Sequence, residues 1–269
     1  MTPPRLPATS PSSRIIANLG YAPRVSGDSS ATYGDEVAEC YDAWFGEWLD
    51  SAEAVARLTQ LAGSGPALEL GIGTGRVALR LLEHGVAVHG IDASEAMVAK
   101  LRAKPGGDRI PVTIGDFSEV PVTGSYALVF AAAGTFFELQ SQQAQVRCFH
   151  NVARCLQPGG LFVIDALLPD TSRHQPDQGL RIIRAGPDHL VLRSRQFDSA
   201  QQRLVSHYVI LSESGIRFMT ARFRYAWPGE LDLMAVTAGL ELKERLGTWQ
   251  GRPFTKDSTH HISIYELPS

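Results

Sequence analysis

The chain has 269 residues, 44% of them hydrophobic and 20% charged, and its 25 basic and 28 acidic side chains leave a net charge of −3. A chain of this size and composition suits one α/β domain with an elaboration. Its near-neutral charge supplies no general attraction to nucleic acid or anionic lipid, so we expect neither partner. No apolar run approaches the roughly 20 residues that span a bilayer, and we find no signal pattern. We therefore expect a cytoplasmic protein.

The N-terminal region divides into a tail and a helical stretch. Residues 1–13 are rich in Pro, Ser and Thr and have little to bury, so we expect a flexible tail, extending to residue 30. From Val37 to Leu58, apolar residues recur at steps of three and four, which is typical of one buried helical face. A break is expected near Asp50 and Ser51, where Ser51 suits a helix cap.

The middle of the chain alternates between short apolar strands and helices. Continuous hydrophobic strands joined by helices are typical of a parallel sheet that is covered on both faces. The pattern therefore predicts a doubly wound α/β fold. The predicted strands are 67–70, 86–91, 111–114, 127–132 and 161–168, and the predicted helices are 75–83, 94–102 and 141–156.

After Pro169 the pattern changes to alternating or β-branched runs separated by turn residues, which predicts an antiparallel β insert over residues 170–226. Pro228 suits the first turn of a helix that ends at Gly239. Two last strands then close a seven-stranded, mostly parallel sheet formed by residues 31–169 and 227–269. The predicted strands of the insert are 181–185, 189–197, 203–211 and 215–225, and the closing strands are 241–248 and 260–266.

The residues that indicate chemistry follow the first three strands. Gly71, Gly73 and Gly75 occupy alternate positions between the first strand and its helix, where a ligand can approach the backbone without meeting a Cβ. Asp92 ends the second strand on the same sheet edge, where a carboxylate can accept the hydroxyls of a ribose. Asp116 ends the third strand and suits the amino group of adenine, with Phe117 beside it.

Two protein classes use such a glycine turn and acid. Dinucleotide-binding oxidoreductases have the spacing G-x-G-x-x-G, whereas the spacing here is G-x-G-x-G, and we find no suitable Tyr-x-x-x-Lys pair. The spacing, preceded by Glu69, resembles the first motif of the class I S-adenosylmethionine-dependent methyltransferases. Pro158-Gly159-Gly160 before the fifth strand adds to this resemblance, which covers about residues 33–171.

The resemblance implies S-adenosylmethionine as cofactor and assigns roles to individual residues. Glu69 would hold the methionine ammonium, Asp92 the ribose, and backbone near Ala132 would approach the methionyl group. An N-terminal segment similar to that of small-molecule members would form a helical lid, with Tyr33 near the methionine carboxylate. The full set of implied cofactor-binding residues is Tyr33, Tyr41, Glu69, Gly71, Gly73, Asp92, Ala93, Met97, Asp116, Phe117 and Ala132.

Candidate catalytic residues are fewer. Glu138 follows the fourth strand, where family members line the acceptor pocket, and we predict it as acid or base, with Tyr33 as a second candidate. Arg76 is expected on the helix surface. His260 and His261 alternate on a strand without cysteine or carboxylate neighbours at ligand spacing, so we assign no metal.

The arrangement also resembles the sugar-amine N-methyltransferases and the glycine N-methyltransferase group. This implies in-line methyl transfer to a nitrogen or oxygen of a small molecule, with natural-product biosynthesis as one setting. The insert serves as an acceptor lid or as the surface of a homo-oligomer. The alternatives are an NAD(P)-dependent oxidoreductase and an S-adenosylmethionine-using enzyme or binder that does not methylate.

Overall fold

A computed structural model describes residues 34–35, 37–43, 52–169 and 179–269. The main sheet has seven strands, numbered in chain order together with the four of the insert: β1 (Ala67–Leu70), β2 (Val88–Asp92), β3 (Val112–Ile114), β4 (Tyr126–Ala131), β5 (Leu156–Leu167), β10 (Glu241–Leu246) and β11 (His260–Glu266). Their order in the sheet is β10-β11-β5-β4-β1-β2-β3, and the pairs β1–β2, β1–β4, β2–β3 and β4–β5 are parallel. This confirms the predicted fold class.

Helices cover both faces of this sheet. Ser94 and Ser141 cap α3 and α4, because each side chain accepts a hydrogen bond from a backbone N–H in the first turn. Pro228 stands in the first turn of α5. The helices are α1 (Ala52–Ala62), α2 (Arg76–Glu83), α3 (Glu95–Arg102), α4 (Gln142–Cys155) and α5 (Pro228–Thr237), with 3-10 turns at Gly107–Arg109 and Thr135–Glu138.

The core forms one layer on each face of the sheet. On the side of α4 and α5, Phe149 meets Phe162 and Tyr265 edge-to-face, with ring centroids 5.2 and 5.5 Å apart. On the other side, α1 and α2 bury Leu58 and Leu81 against the sheet. Within the described ranges, none of the helices combines the length and hydropathy needed to cross a bilayer.

The chain reverses its direction of winding between β1 and β4. From β1 it continues to β2 and β3 on one side, and β4 and β5 extend the sheet on the other. In wound sheets, ligands bind at the carboxyl ends of the strands beside this reversal. The fold therefore places a crevice at the ends of β1 and β4.

The insert forms a separate antiparallel sheet in the order β6-β7-β8-β9. Its inner face packs Tyr208 and Met219 against Val37 and Met97, so it closes over the N-terminal segment and α3. The Arg184 guanidinium also donates a 2.8 Å hydrogen bond to the carbonyl of Ala43. The strands are β6 (Arg181–Ala185), β7 (His189–Asp198), β8 (Arg203–Ser212) and β9 (Gly215–Arg224).

The outer face of the insert carries exposed apolar side chains. Ile182, Ile216 and Phe218 are 67%, 64% and 63% exposed. Such a face is consistent with the expected homo-oligomer, which stays a prediction. Three predicted features lie outside the described residues: the flexible tail at residues 1–30, Tyr33, and the helical break at Asp50 and Ser51.

Candidate active site

The glycine turn lies between β1 and α2, and all three glycines have positive φ: 70° at Gly71, 54° at Gly73 and 75° at Gly75. A Cβ on Gly71 would lie 2.3 Å from the Thr135 side chain, so packing excludes one there. A Cβ on Gly73 would meet only Met97, at 3.5 Å. The backbone at Gly73 is therefore approachable, as a bound ligand requires.

Asp92 ties this turn to the next helix. One carboxylate oxygen accepts a 2.6 Å hydrogen bond from the Gly73 N–H, and the other accepts one of 2.8 Å from the Ser94 N–H. Burial raises the pKa of Asp92, and these two hydrogen bonds oppose the rise. Each carboxylate oxygen retains a lone pair, so the side chain can also accept ribose hydroxyls.

Glu69 is buried directly before the turn, with 5% of its surface exposed. Its Oε2 has no hydrogen-bond partner among the described residues. Burial raises the pKa of Glu69 to about 8 against the opposing charge of Arg76, and the charge of Asp92 adds to the rise. A buried acceptor without a partner is costly, and the ammonium of S-adenosylmethionine would satisfy it, so this residue fits the cofactor.

Arg76 lies at this site as the first residue of α2, where it is only partly exposed. Its guanidinium carbon lies 5.3 Å from the centroid of the Tyr41 ring, a cation–π distance, and its charge lowers the pKa of Glu69. The helix pattern alone places this residue at the start of α2. Tyr41 of the N-terminal segment then packs against the Arg76 guanidinium at that end of the helix.

Asp42 fastens the N-terminal segment to the glycine turn. It accepts a 2.6 Å hydrogen bond from the Thr74 hydroxyl and forms a 2.6 Å ion pair with Lys104. The Ser94 hydroxyl donates a further 2.6 Å bond to Asp35. These contacts hold the segment where a lid is predicted. The role predicted for Tyr33 stays a prediction.

The remaining predicted cofactor residues lie along the same edge of the sheet. Asp116 is exposed and accepts a 2.7 Å hydrogen bond from the Ser118 N–H, while Phe117 is buried beside Gly71. Met97 is buried under the N-terminal segment, and Ala93 is partly exposed. Their positions suit contacts to an adenine, which also stay predictions.

Glu138 ends the 3-10 turn after β4 and lies beneath the insert, because Gln140 donates hydrogen bonds both to its backbone carbonyl and to that of Arg222 in β9. Burial raises the pKa of Glu138 to about 8, and the charge of Asp92 adds to the rise. A carboxyl with this pKa can exchange a proton near neutral pH. Glu138 thus lies on the side of the crevice where the charge of Asp92 acts on it.

Asp165 was missed by the sequence interpretation. It stands near the carboxyl end of β5, and lines a cavity of about 330 Å³ together with Ala132, Trp249 and His260. The available signal was a single charged residue inside the apolar run Leu161–Leu168. Of the two histidines, His261 is fully buried and His260 borders this cavity.

Replacing Glu69 with Gln should flatten the pH dependence of folding stability in the cofactor-free protein. The folded chain binds the Glu69 proton more tightly than the unfolded chain, so its stabilising contribution is complete below about pH 4.5 and is lost as the pH rises through about 8. Across this range we expect the free energy of unfolding of the wild type to fall more steeply than that of Glu69→Gln, by up to about 1.4 kcal/mol per pH unit. Denaturant titrations at several pH values measure both slopes.

The matched control is Glu83→Gln, which changes an exposed carboxyl at the end of α2. That variant should follow the wild-type curve. Parallel curves for the wild type and the Glu69 variant would show that Glu69 is not protonated preferentially in the folded state.

Comparison with known proteins agrees with this geometry. A family model described as a methyltransferase domain matches residues 67–160, which include the glycine turn and Asp92. The CcbJ methyltransferase from Streptomyces caelestis is 38% identical, and the structural match covers 91% of this chain and 100% of CcbJ with a TM-score of 0.82. The chain belongs to the S-adenosylmethionine-dependent methyltransferases. The oxidoreductase alternative is thereby excluded.

Two curated relatives of this methyltransferase also match most of its length. The cypemycin N-terminal methyltransferase from a Streptomyces species is 28% identical over 200 residues, which cover 74% of this chain and 82% of the relative. The dTDP-4-amino-2,3,4,6-tetradeoxy-D-glucose N,N-dimethyltransferase from Saccharopolyspora spinosa is 26% identical over 207 residues, covering 72% and 80%. Solved structures that share the fold include complexes with S-adenosylmethionine, the cofactor of this methyltransferase.

Proposed function

We propose that this methyltransferase acts on an amine nitrogen of a small molecule, such as an amino sugar or another natural-product amine. The observation that carries the proposal is Glu138, a partly buried acid after β4 whose pKa is raised by burial and by the charge of Asp92. The names of both curated relatives describe transfer to an amino group.

Each residue of the crevice would have a separate role in the reaction. Glu69 would bind the methionine ammonium and Asp92 the ribose, which fixes the position of the donor. Bound S-adenosylmethionine supplies a methyl group activated by its sulfonium, which a neutral nitrogen takes by in-line displacement. Glu138 would accept the proton that the amine must lose, and the insert and N-terminal segment would exclude water.

The acidity of Glu138 favours nitrogen over an aliphatic oxygen. An α-amino group has a pKa near 7.7 to 8.0, close to the value of about 8 for Glu138, so proton transfer between them is nearly balanced. An alkyl hydroxyl is about as weakly acidic as water, with a pKa near 15.7. A carboxylate is far too weak a base to deprotonate it in advance.

Methyl-labelled S-adenosylmethionine tests the proposal against paired acceptors that differ only in an amino or hydroxyl group. The pairs should include an amino sugar with its parent sugar, and a short peptide with its hydroxy-acid counterpart. We expect label on the amine of a pair and a labelled product that is N-methylated by mass spectrometry. Label on the hydroxyl partner instead would contradict the proposal.

A further inference from the structure

The cavity beside Asp165 lies next to the crevice at the end of β1. Glu69 pairs with Phe130 across β1 and β4, and Ala131 pairs with Ile164 across β4 and β5. Continuing this register places Gly71, Ala132 and Asp165 side by side at the carboxyl ends of β1, β4 and β5. Asp165 is therefore two strands away from Gly71. At about 4.8 Å between strands, the separation is about 10 Å, which is within the reach of one small molecule.

The carboxylate of Asp165 is held at one oxygen. Its Oδ2 accepts a 3.0 Å hydrogen bond from the Ala133 N–H and a 3.3 Å bond from the Trp249 indole. No hydrogen bond from the described part of the chain reaches Oδ1, and no described Lys or Arg pairs with Asp165. Burial raises the pKa of Asp165, while the nearby His260 opposes the rise. The carboxylate is thus oriented and keeps one oxygen for another partner.

We propose that Asp165 binds the amino group of the methyl acceptor, in the cavity that it lines with Ala132 and Trp249. This inference rests on the proposed function, because it assumes that the acceptor is an amine. An ammonium would supply the charge that Oδ1 lacks, and charge-assisted hydrogen bonds are about twice as strong as neutral ones. The Trp249 indole adds an aromatic surface, which attracts cations.

The size of the cavity limits the acceptor. A volume of about 330 Å³ lies at the small end of ligand pockets, so it holds the amine-bearing ring of an acceptor and leaves little space for more. Asp165 then selects and orients the amine within this cavity.

The test uses benzylamine and benzyl alcohol as probes of the full chain saturated with S-adenosylhomocysteine. By isothermal titration, we expect benzylamine to bind at least about tenfold more tightly than benzyl alcohol. In Asp165→Asn this preference should disappear, whereas Asp257→Asn, an exposed carboxyl between β10 and β11, should keep it. Equal binding of both probes to the wild type, or an unchanged preference in Asp165→Asn, would overturn the proposal.

A second variant keeps the test decisive if Asp165→Asn does not fold. Leu167→Trp places a larger side chain on the cavity wall and leaves Asp165 in place. It should lose benzylamine binding by at least about tenfold while binding S-adenosylhomocysteine as the wild type does. Unchanged benzylamine binding in this folded variant would also overturn the proposal.

The outcome is separate from that of the proposed function. If benzylamine binds through Asp165 and paired acceptors are methylated only on oxygen, the proposed function fails and Asp165 is an amine-binding residue that does not hold the reacting group. If amines are methylated and Asp165→Asn binds benzylamine normally, the cavity assignment alone fails.

Discussion

Replacing Asp92 with Ala should weaken binding of S-adenosylhomocysteine by about 1 to 3 kcal/mol, or roughly 5- to 150-fold. The substitution removes the acceptor predicted for the ribose hydroxyls. It also releases the N–H of Gly73, which Asp92 holds at 2.6 Å, so the glycine turn becomes less ordered before the ligand arrives. Isothermal titration measures the affinity.

The control for this substitution is Asp108→Ala, because Asp108 is an exposed carboxyl in the 3-10 turn Gly107–Arg109. It should bind the nucleoside as the wild type does. Circular dichroism should show that the Asp92 variant keeps its fold, since Ser94 remains the cap of α3. A collapse of the melting temperature with unchanged affinity would show that Asp92 serves only as a structural anchor.

Most of the fold follows from local patterns in the sequence. Strand β1 has the predicted bounds because three of its four residues are apolar and all four are buried, which is typical of a strand covered on both faces. Strand β5 begins at Leu156 rather than at 161, since Tyr126 pairs with Leu156 and a register shift accommodates the Pro-Gly-Gly turn. Hydrophobic patterning locates a strand well, but pairing with a neighbour sets its ends.

The site was predictable only where a motif carries it. The glycine turn, Glu69 and Asp92 stand in a fixed order at strand ends, so the sequence places them together. The contacts of Arg76 were not predicted, because they depend on Tyr41, which reaches it through tertiary packing.

Asp165 also could not be assigned to the site from the local sequence. Its environment combines the N–H of Ala133, the indole of Trp249 and the nearby imidazole of His260. These groups come from different parts of the chain, and no local pattern links them. A charged residue in an apolar strand signals that something must compensate it, but the partners become visible only in the folded chain.

Replacing Glu138 with Gln should lower turnover of an amine acceptor by about 10²- to 10⁴-fold, the usual contribution of a general base. Affinity for S-adenosylhomocysteine should change by less than about twofold, because the amide retains the shape of the side chain and the cofactor contacts are assigned to other residues. Steady-state kinetics and isothermal titration measure the two quantities. Glu213→Gln, in an exposed turn of the insert, is the matched control and should leave both unchanged.

The pH dependence of kcat/KM tests whether Glu138 is the base. The carboxylate is the basic form of Glu138, and burial raises the pKa of this residue to about 8, so the active fraction is small at neutral pH and grows through pH 8. Because the amine loses its own proton near the same pH, wild-type kcat/KM should rise steeply through this value with two overlapping deprotonations, and Glu138→Gln should keep only the shallower rise that belongs to the amine. If both enzymes show the same profile and turnover, Glu138 is not the base, and proton removal must then be assigned to another group at the crevice.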